Sequence, residues 1–287
     1  MKDNFKQYIR SWMPPALFRL KAGLTSSEIS FKGDFREWND ALTGSTGYDA
    51  GGILKKAAAA TMAVVSEKAV FERDSVLFDE IQYSWPVLAG LMKAAADDGG
   101  QLRVLDFGGA LGSSYYQNRK FMEKLKVVKW CIVEQKNFVE CGKRDFETDV
   151  LKFFSCIEDA TKSCKFNVIL LSSVLPYLEQ PYDILARIIE LGVSTVIIDR
   201  TPVLPGNADR LTIQNIPGTI YHASYPAWFF SEKKFLNFMD KKYSMLVKFD
   251  TLGGEVRLKT PVATANTRGY IFKLKETELR KNEKSFE

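Results

Sequence analysis

The sequence is poor in the residues from which most metal and redox centres are built. It contains one histidine, His222, and four cysteines in 287 residues. The cysteines form no C-x-x-C pair, and one histidine cannot complete a zinc site with them at the usual spacing. We therefore expect reduced thiols, as in a cytosolic protein, and no bound metal.

Long apolar segments are also absent. No run approaches the ~18 residues that a membrane span needs. Lys2, Lys6 and Arg10 interrupt the first segment, which excludes the apolar centre of a signal peptide. The formal net charge of +5 is too small to indicate a nucleic-acid partner. These observations predict a cytoplasmic protein.

Residues 1–21 mix apolar and basic side chains at helical spacing. A basic amphipathic helix of this kind can lie on an anionic membrane, here as peripheral contact at the inner membrane face. Alternatively, it packs on the core or on a dimer partner. The sequence leaves both interpretations open, together with the oligomeric state.

Residues 1–95 have the composition of helices and loops, which predicts an N-terminal helical cap region. From 96 to 275 the chain alternates between apolar strands and amphipathic helices, as in a doubly wound α/β sheet. The strands show little polar alternation, which is typical of parallel strands covered on both faces. Five strands are predicted at 103–107, 129–134, 151–155, 166–172 and 194–200.

The pattern changes after the fifth strand. Residues 201–230 combine prolines, polar residues and a dense aromatic group, which predicts an aromatic substrate loop. Ser231 is a suitable N-cap for a helix over 231–243. Two closing strands at 243–250 and 269–275 and a charged tail at 276–287 complete the expected order.

A glycine-rich stretch, VLDFGGALGSS, follows the first strand at 104–114. Gly108, Gly109 and Gly112 would let the backbone approach a ligand, and the next helix would present free N–H groups. The G-G-x-x-G spacing differs from that of dinucleotide loops, and no G-K-[ST] follows as in a phosphate-binding loop. Asp106, directly before the glycines, could bind a cation or shape the loop.

Glu134 closes the second predicted strand. Neighbouring parallel strands end at the same edge of a sheet, so this carboxylate should lie near Asp106. An acid at the end of a second strand binds ribose hydroxyls. The stretch and Glu134 together predict a site for an adenosine compound without a pyrophosphate.

The stretch VLDFGGALG resembles the first motif of class I S-adenosylmethionine (SAM) dependent methyltransferases, V-L-D-x-G-x-G-x-G. Ala110 replaces the middle glycine, and Gly109 adds one beside it. The resemblance implies a Rossmann-like seven-stranded SAM-methyltransferase sheet, mostly parallel with the last strand antiparallel, and SAM as the cofactor. It also implies that Gly108, Gly109 and Gly112 line the methionine part and that Glu134 holds the ribose.

A narrower resemblance covers most of residues 45–250. It is to a family of methyltransferases associated with bacterial surface-polysaccharide genes, such as those for O-antigen or capsule. That family implies O-methylation of a sugar hydroxyl in a glycan or its precursor. The matching stretches are GYDAGGIL, SWPVL, LDFGGALGSSYYQNRKF, WCIVEQ, LLSSVLPYLEQP, IIDRTPV and IYHASYPAWFFS.

Three serines end later strands. Ser155 is a candidate for the adenine side of the cofactor. Ser172 and Ser173 would lie near the sulfonium and the substrate, or would cap the next helical segment.

A sugar hydroxyl is a poor nucleophile until a base removes its proton. His222, beyond the fifth strand, is the first candidate base, and Asp199 is the second. Arg200 could pair with Asp199 or clamp a substrate phosphate or carboxylate.

Aromatic side chains could stack on a sugar ring or pack the chain onto the core. The candidates are Tyr115, Tyr116, Tyr225 and Trp228. No D/N-P-P-Y follows the fourth strand, which by resemblance argues against methylation of nucleobase amines. The alternatives are a small-molecule O-methyltransferase, a non-catalytic SAM- or nucleoside-binding module in glycan assembly, and a scaffold whose aromatic loop binds a partner protein.

Overall fold

The computed structural model describes residues 29–46, 50–216 and 223–276. The predictions for residues 1–21, for His222 and for the tail beyond Glu276 therefore lie outside the described residues. No helix among the described residues is long and apolar enough to cross a membrane. Each of the four cysteines is a free thiol, and Cys131 and Cys141 are buried.

Twelve strands and eight helices make up the described part of the chain. The strands are β1 (Ser30–Phe35), β2 (Phe71–Arg73), β3 (Val76–Phe78), β4 (Gln101–Phe107), β5 (Val127–Val133), β6 (Leu151–Phe154), β7 (Val168–Ser172), β8 (Thr195–Leu204), β9 (Arg210–Ile216), β10 (Ala223–Ser231), β11 (Tyr243–Lys259) and β12 (Val262–Leu274). The helices are α1 (Trp38–Thr43), α2 (Ala50–Val65), α3 (Trp85–Asp97), α4 (Ser113–Met122), α5 (Lys136–Asp145), α6 (Ile157–Ser163), α7 (Pro181–Leu191) and α8 (Glu232–Met239).

Seven of these strands form the sheet that the sequence predicts. Their order is β6-β5-β4-β7-β8-β12-β11. The first five run parallel, and β12 runs antiparallel to both β8 and β11. The Rossmann-like α/β class with an antiparallel strand near the end is confirmed.

The sheet is wider than the seven strands expected, because β1, β9 and β10 extend it to ten. Strand β10 also pairs with β8, through Phe230 with Val203 and Ser231 with Leu204. Strands β8, β12, β11, β1, β9 and β10 thus form a closed ring of pairings. The prediction of an aromatic loop at 201–230 is wrong for most of that range, because β8 continues to Leu204 and is followed by β9 and β10.

Alternation along the parallel strands places a separate core on each face of the sheet. Leu105, Ile169 and Ile198 belong to one cluster, which α6, α7 and α8 cover. Val104 and Leu170 belong to the other, which α2 to α5 cover. Burying each such side chain contributes about 1.5–3 kcal/mol, and burial on both faces explains the continuous apolar runs.

The N-terminal region is mixed rather than wholly helical. Helices α1, α2 and α3 are present as expected, but β1 joins the sheet between β9 and β11. Strands β2 and β3 form a separate two-stranded hairpin. Asp74 and Ser75, at its turn, both have left-handed backbone, with φ of 53° and 67°. The hairpin brings Glu72, Arg73 and Asp74 over the carboxyl ends of the parallel strands.

The later part of the chain follows the prediction more closely. Helix α8 begins after Ser231, whose hydroxyl accepts a hydrogen bond from the backbone N–H of Lys234 at 3.2 Å. This is the predicted N-cap. The two closing strands are present and are longer than expected, as β11 and β12.

Candidate functional site

A cavity of about 1100 Å³ opens at the carboxyl edge of the parallel strands. The hairpin β2–β3, α1, α2 and parts of β9 and β10 also contribute to its wall. This is the edge at which open α/β sheets bind ligands. The lining includes nine residues that the sequence singles out, namely Asp106, Gly108, Gly109, Glu134, Ser155, Ser172, Ser173, Arg200 and Tyr225.

The turn after β4 requires its glycines. Gly108 has a φ of +73°, and a Cβ there would lie 2.3 Å from Cγ2 of Val174. A Cβ on Gly109 would lie 2.6 Å from the carboxyl carbon of Asp106. Gly112, with a φ of +103°, is the N-cap of α4. The close approach of the turn to its neighbours therefore explains the first two glycines, and backbone conformation explains Gly112.

Ala110 has left-handed backbone, with a φ of 49°. This conformation is costly for a residue with a Cβ. The backbone N–H of Ala110 faces the carboxylate of Glu134 at the end of β5 and lowers the pKa of that carboxyl. The substitution in the motif is thus accommodated at a strained position that faces the cavity.

Asp106 is only 1% exposed. Its Oδ2 accepts a hydrogen bond from Nε1 of Trp130 at 2.9 Å. Burial raises the pKa of this carboxyl to about 7, and the charge of Glu134 adds to the shift while Trp130 opposes it. Asp106 therefore lies beneath the glycine turn and supports it. Its carboxyl keeps its proton up to near neutral pH.

Glu134 lies at the same edge as Asp106, as the strand order predicts. Its Oε2 accepts the backbone N–H of Gln135 at 2.6 Å. Burial raises the pKa of Glu134, and the two backbone N–H groups that it accepts lower it. The side chain is a half-buried acceptor at the cavity wall, suited to paired hydroxyl groups.

Glu72 is a cavity residue that the sequence gives no reason to select. It is 4% exposed, and its Oε1 accepts the hydroxyl of Ser113 in the first turn of α4. Its Oε2 accepts the backbone N–H of Ser75 at 3.3 Å. Burial raises the pKa of this carboxyl, while the bond from Ser113 lowers it. Glu72 fastens the hairpin to the helix that follows the glycine turn.

The end of β7 and the middle of β8 beside it hold a polar group. Ser172 Oγ donates to Oδ2 of Asp199 at 3.1 Å, and Nε of Arg200 lies 3.8 Å from the same oxygen. Nη1 of Arg200 donates to Oδ2 of Asp74 at 3.1 Å. Ser173 and Arg200 both have left-handed backbone, with φ of 59° and 51°.

Asp199 does not line the cavity that Ser172 and Arg200 line. Its carboxyl is buried, and within the described part of the chain Oδ1 has no hydrogen-bond partner. Burial raises the pKa of Asp199, and Arg200 opposes that shift. The geometry fits Asp199 as a support for Ser172 and Arg200, in place of the base that the sequence suggests.

Tyr115 and Tyr116 do not line the cavity. Both pack against the core cluster beneath α4, where the ring of Tyr115 lies 5.8 Å from that of Trp130. Burial raises the pKa of Tyr116 to about 12. The substrate role predicted for this pair is therefore not supported by their position, because α4 turns them inward.

Tyr225 and Trp228 lie near the site. The ring of Tyr225 lines the cavity and meets that of Tyr177 at 5.5 Å. Trp228 stacks on Trp38, and its Nε1 donates to the carbonyl of Leu178 at 3.1 Å. Trp228 lines a second, smaller cavity of about 240 Å³.

The smaller cavity adjoins the larger one. Five residues line both cavities, namely Arg73, Asp74, Ser173, Tyr177 and Arg200. Arg73 and Asp74 lie in the hairpin and carry no sequence signal, because two three-residue strands leave no recognisable period. Nowhere in 29–46, 50–216 or 223–276 do three or more His, Cys, Asp or Glu side chains gather as they would around a metal ion.

No protein-family model and no curated protein matches the chain. Solved structures match at low identity. Magnesium protoporphyrin IX methyltransferase from Synechocystis PCC 6803, with bound SAM, is 13% identical, with a TM-score of 0.42 over 67% of this chain and 79% of that one. A SAM-dependent methyltransferase from Clostridium acetobutylicum is also 13% identical, with a TM-score of 0.41 over 65% of this chain and 90% of that one.

The N-terminal domain of EvdMO1, solved in the presence of S-adenosylhomocysteine (SAH) and D-fucose, is 9% identical. The match has a TM-score of 0.44 and covers 79% of this chain and 98% of that domain. Similarities this distant leave the site of the present chain to be judged on its own residues.

Proposed function

We propose that the protein is a SAM-dependent methyltransferase that O-methylates a sugar hydroxyl of a bacterial surface polysaccharide or its precursor. The observation that carries the cofactor assignment is the joint geometry of the glycine turn and Glu134. Gly108, Gly109 and Glu134 line one cavity at the carboxyl edge of neighbouring strands β4 and β5. The motif resemblance implies the same arrangement.

These residues fit the cofactor chemically. The turn offers backbone close to the cavity, where Cβ atoms would otherwise crowd Val174 and Asp106. Glu134 offers carboxylate oxygens to the ribose hydroxyls, and Ser155 lies farther along the wall for the adenine side. When bound, SAM supplies an electrophilic methyl group, so the protein mainly provides orientation.

The acceptor would enter from the side of Ser172, Ser173 and Arg200. These groups lie at the end of β7 and within β8, on the other side of β4 from Glu134. In-line displacement requires an oxygen held close to the methyl carbon. We assign proton removal from that oxygen to His222, and Asp199 acts by positioning Ser172 and Arg200.

Cofactor binding can be measured by calorimetry with SAM and SAH. We expect Glu134→Ala to weaken both ligands about 10- to 100-fold, because hydrogen bonds to a charged group contribute about 1.5–3 kcal/mol. Glu140→Ala is the matched control, since Glu140 is an exposed residue of the following helix. Failure of the wild-type protein to bind either ligand would remove the cofactor assignment.

The transfer reaction is tested on isolated surface glycans and their precursors by mass spectrometry. A SAM-dependent gain of one CH₂ group is expected for the wild-type protein. His222→Ala should abolish that gain while its SAM affinity stays within twofold of wild type. SAM binding without transfer to any sugar would favour a small-molecule acceptor or a binding module, and near-normal turnover by the variant would exclude His222 as the base.

A further inference from the structure

The wall between the two cavities carries two guanidinium groups. Arg73 reaches it from the hairpin, and Arg200 reaches it from the middle of β8. The proximity of Arg200 contributes, after burial, to lowering the pKa of Arg73. Two like charges that are held together at a cavity wall repel each other, and this repulsion is relieved by an anion.

The hydrogen bonds of Arg73 are incomplete. Nη2 donates to Oε1 of Gln82 at 3.1 Å, and the guanidinium lies 5.2 Å from the ring centroid of Phe78. Nη1 is buried and has no hydrogen-bond partner among the described residues. An unpaired buried N–H of a charged group is costly, and a carboxylate or phosphate is its best partner.

Asp74 is the carboxylate that shares this wall. It is 71% exposed, and it binds Nη1 of Arg200 at 3.1 Å. An ion pair with one partner so exposed contributes about 0–1 kcal/mol. A ligand anion can therefore displace Asp74 at little cost. Of the other nearby carboxyls, Glu72 binds Ser113, and Asp199 accepts the hydroxyl of Ser172 while its Oδ2 lies 3.8 Å from Nε of Arg200.

The smaller cavity beyond the two arginines has aromatic walls. Phe31, Trp228 and Phe229 line it, together with Thr267. Its volume of about 240 Å³ is below the ~300 Å³ at which pockets for whole small-molecule ligands begin. It therefore suits one end of an acceptor whose remainder extends into the larger cavity.

We infer that the methyl acceptor is anionic and that Arg73 and Arg200 bind its carboxylate or phosphate at the wall shared by the two cavities. Asp74 occupies part of that position until the acceptor binds. The identification of the bound anion as the methyl acceptor rests on the proposed function. The anion site itself requires only the two arginines.

Inorganic phosphate is the probe for the site, titrated by ³¹P NMR without SAM. We expect Arg73→Gln to weaken phosphate binding at least tenfold, while Arg257→Gln, an exposed arginine of β11, stays within twofold of wild type. Asp74→Asn should tighten binding severalfold, and Asp79→Asn, an exposed acid just beyond β3, should not. A gain of affinity in Asp74→Asn cannot result from misfolding.

Competition separates the two sources of the anion. Displacement of phosphate by glucuronate but not by glucose assigns a sugar carboxylate, and displacement by glucose 1-phosphate alone assigns a sugar phosphate. Absence of saturable phosphate binding, or equal binding by wild type and both cavity variants, overturns the inference. Phosphate bound through Arg73 in a protein that binds neither SAM nor SAH would leave the anion site standing and remove the proposed function.

Discussion

Three residues with side chains adopt left-handed backbone at the carboxyl edge of the sheet. They are Ala110 after β4, Ser173 after β7 and Arg200 within β8, and all three line the large cavity. Residues held in this region cost of order 1–3 kcal/mol each and persist where the surroundings fix them. Because all three lie at one edge of the sheet, that edge is where the fold loses stability in order to hold a particular backbone conformation.

Gly108→Ala separates steric crowding from backbone strain. Gly108 and Gly99 both have positive φ, of +73° and +61°, but only at Gly108 would a Cβ meet a neighbour, Val174. We expect Gly108→Ala to lower the free energy of unfolding by about 1–3 kcal/mol more than Gly99→Ala does, because overpacking adds to strain. Urea denaturation of both variants measures the difference.

SAM affinity gives a second measurement on the same pair of variants. Gly108→Ala should reduce it at least tenfold if the turn carries the cofactor, and Gly99→Ala should leave it unchanged. Equal losses in the two variants would mean that the crowding by Val174 has no part in the site.

At the scale of elements, the hairpin β2–β3 depends on one buried acid. Glu72 joins it to α4 through Ser113 and closes its turn through Ser75. We expect Glu72→Ala to lower the free energy of unfolding by about 1–3 kcal/mol, since it leaves these donors unpaired. Amide exchange should rise in residues 71–78 and in the first turn of α4.

Hydrogen-exchange mass spectrometry resolves both segments. Glu80→Ala is the control, because Glu80 is exposed just after the hairpin. If amide exchange in the hairpin is as slow in Glu72→Ala as in Glu80→Ala, a contact other than those of Glu72 holds the hairpin in place.

The sequence predicts some elements well because their signals are local. Parallel strands β4, β5 and β7 are mostly apolar. The glycine turn with Glu134 follows from a contiguous motif and a strand spacing. Strand β9 gives no such signal. Its buried Thr212 and Gln214 resemble loop residues, and Thr212 is satisfied only by the carbonyl of Ala227 on β10, at 2.8 Å.

The missed site residues have the same explanation. Arg73 and Asp74 lie more than a hundred positions before Arg200, and only the folded hairpin brings them to it. Tyr115 and Tyr116 follow the glycine turn in sequence, but the direction of α4 packs them against the core and away from the cavity lining. Proximity in sequence to a motif therefore indicates a site residue only where the local backbone also points to the cavity.

At the scale of the whole molecule, Asp106 makes stability depend on pH. Burial raises its pKa to about 7 in the folded protein, against about 3.9 in an unfolded chain. Between these values the folded state keeps a proton that the unfolded state releases. Stability from this group is therefore fully present below pH 4, falls by up to about 1.4 kcal/mol per unit as pH rises to 7, and is level above that.

Asp106→Asn removes this dependence and keeps an acceptor for Trp130. As pH rises from 4 to 7, the free energy of unfolding of the variant should increase relative to that of the wild type. Urea denaturation measures both. Asp149→Asn, at an exposed position, controls for the loss of one negative charge. A constant difference between Asp106→Asn and wild type over this range would show that Asp106 is ionised throughout.

The closed ring of strands also has a consequence for the order of folding. Strand β1 pairs with β9 and, through Phe31 and Leu258, with β11. Contacts between residues this far apart along the chain form late, because the entropy cost of closing the loop comes before the favourable contact energy. During synthesis the parallel strands β4 to β8 can assemble while β1 still lacks both of its neighbours. The ring closes only after β12, which joins β11 to β8, has left the ribosome. The edge of the growing sheet therefore stays open to other chains until nearly the whole described sequence has been made.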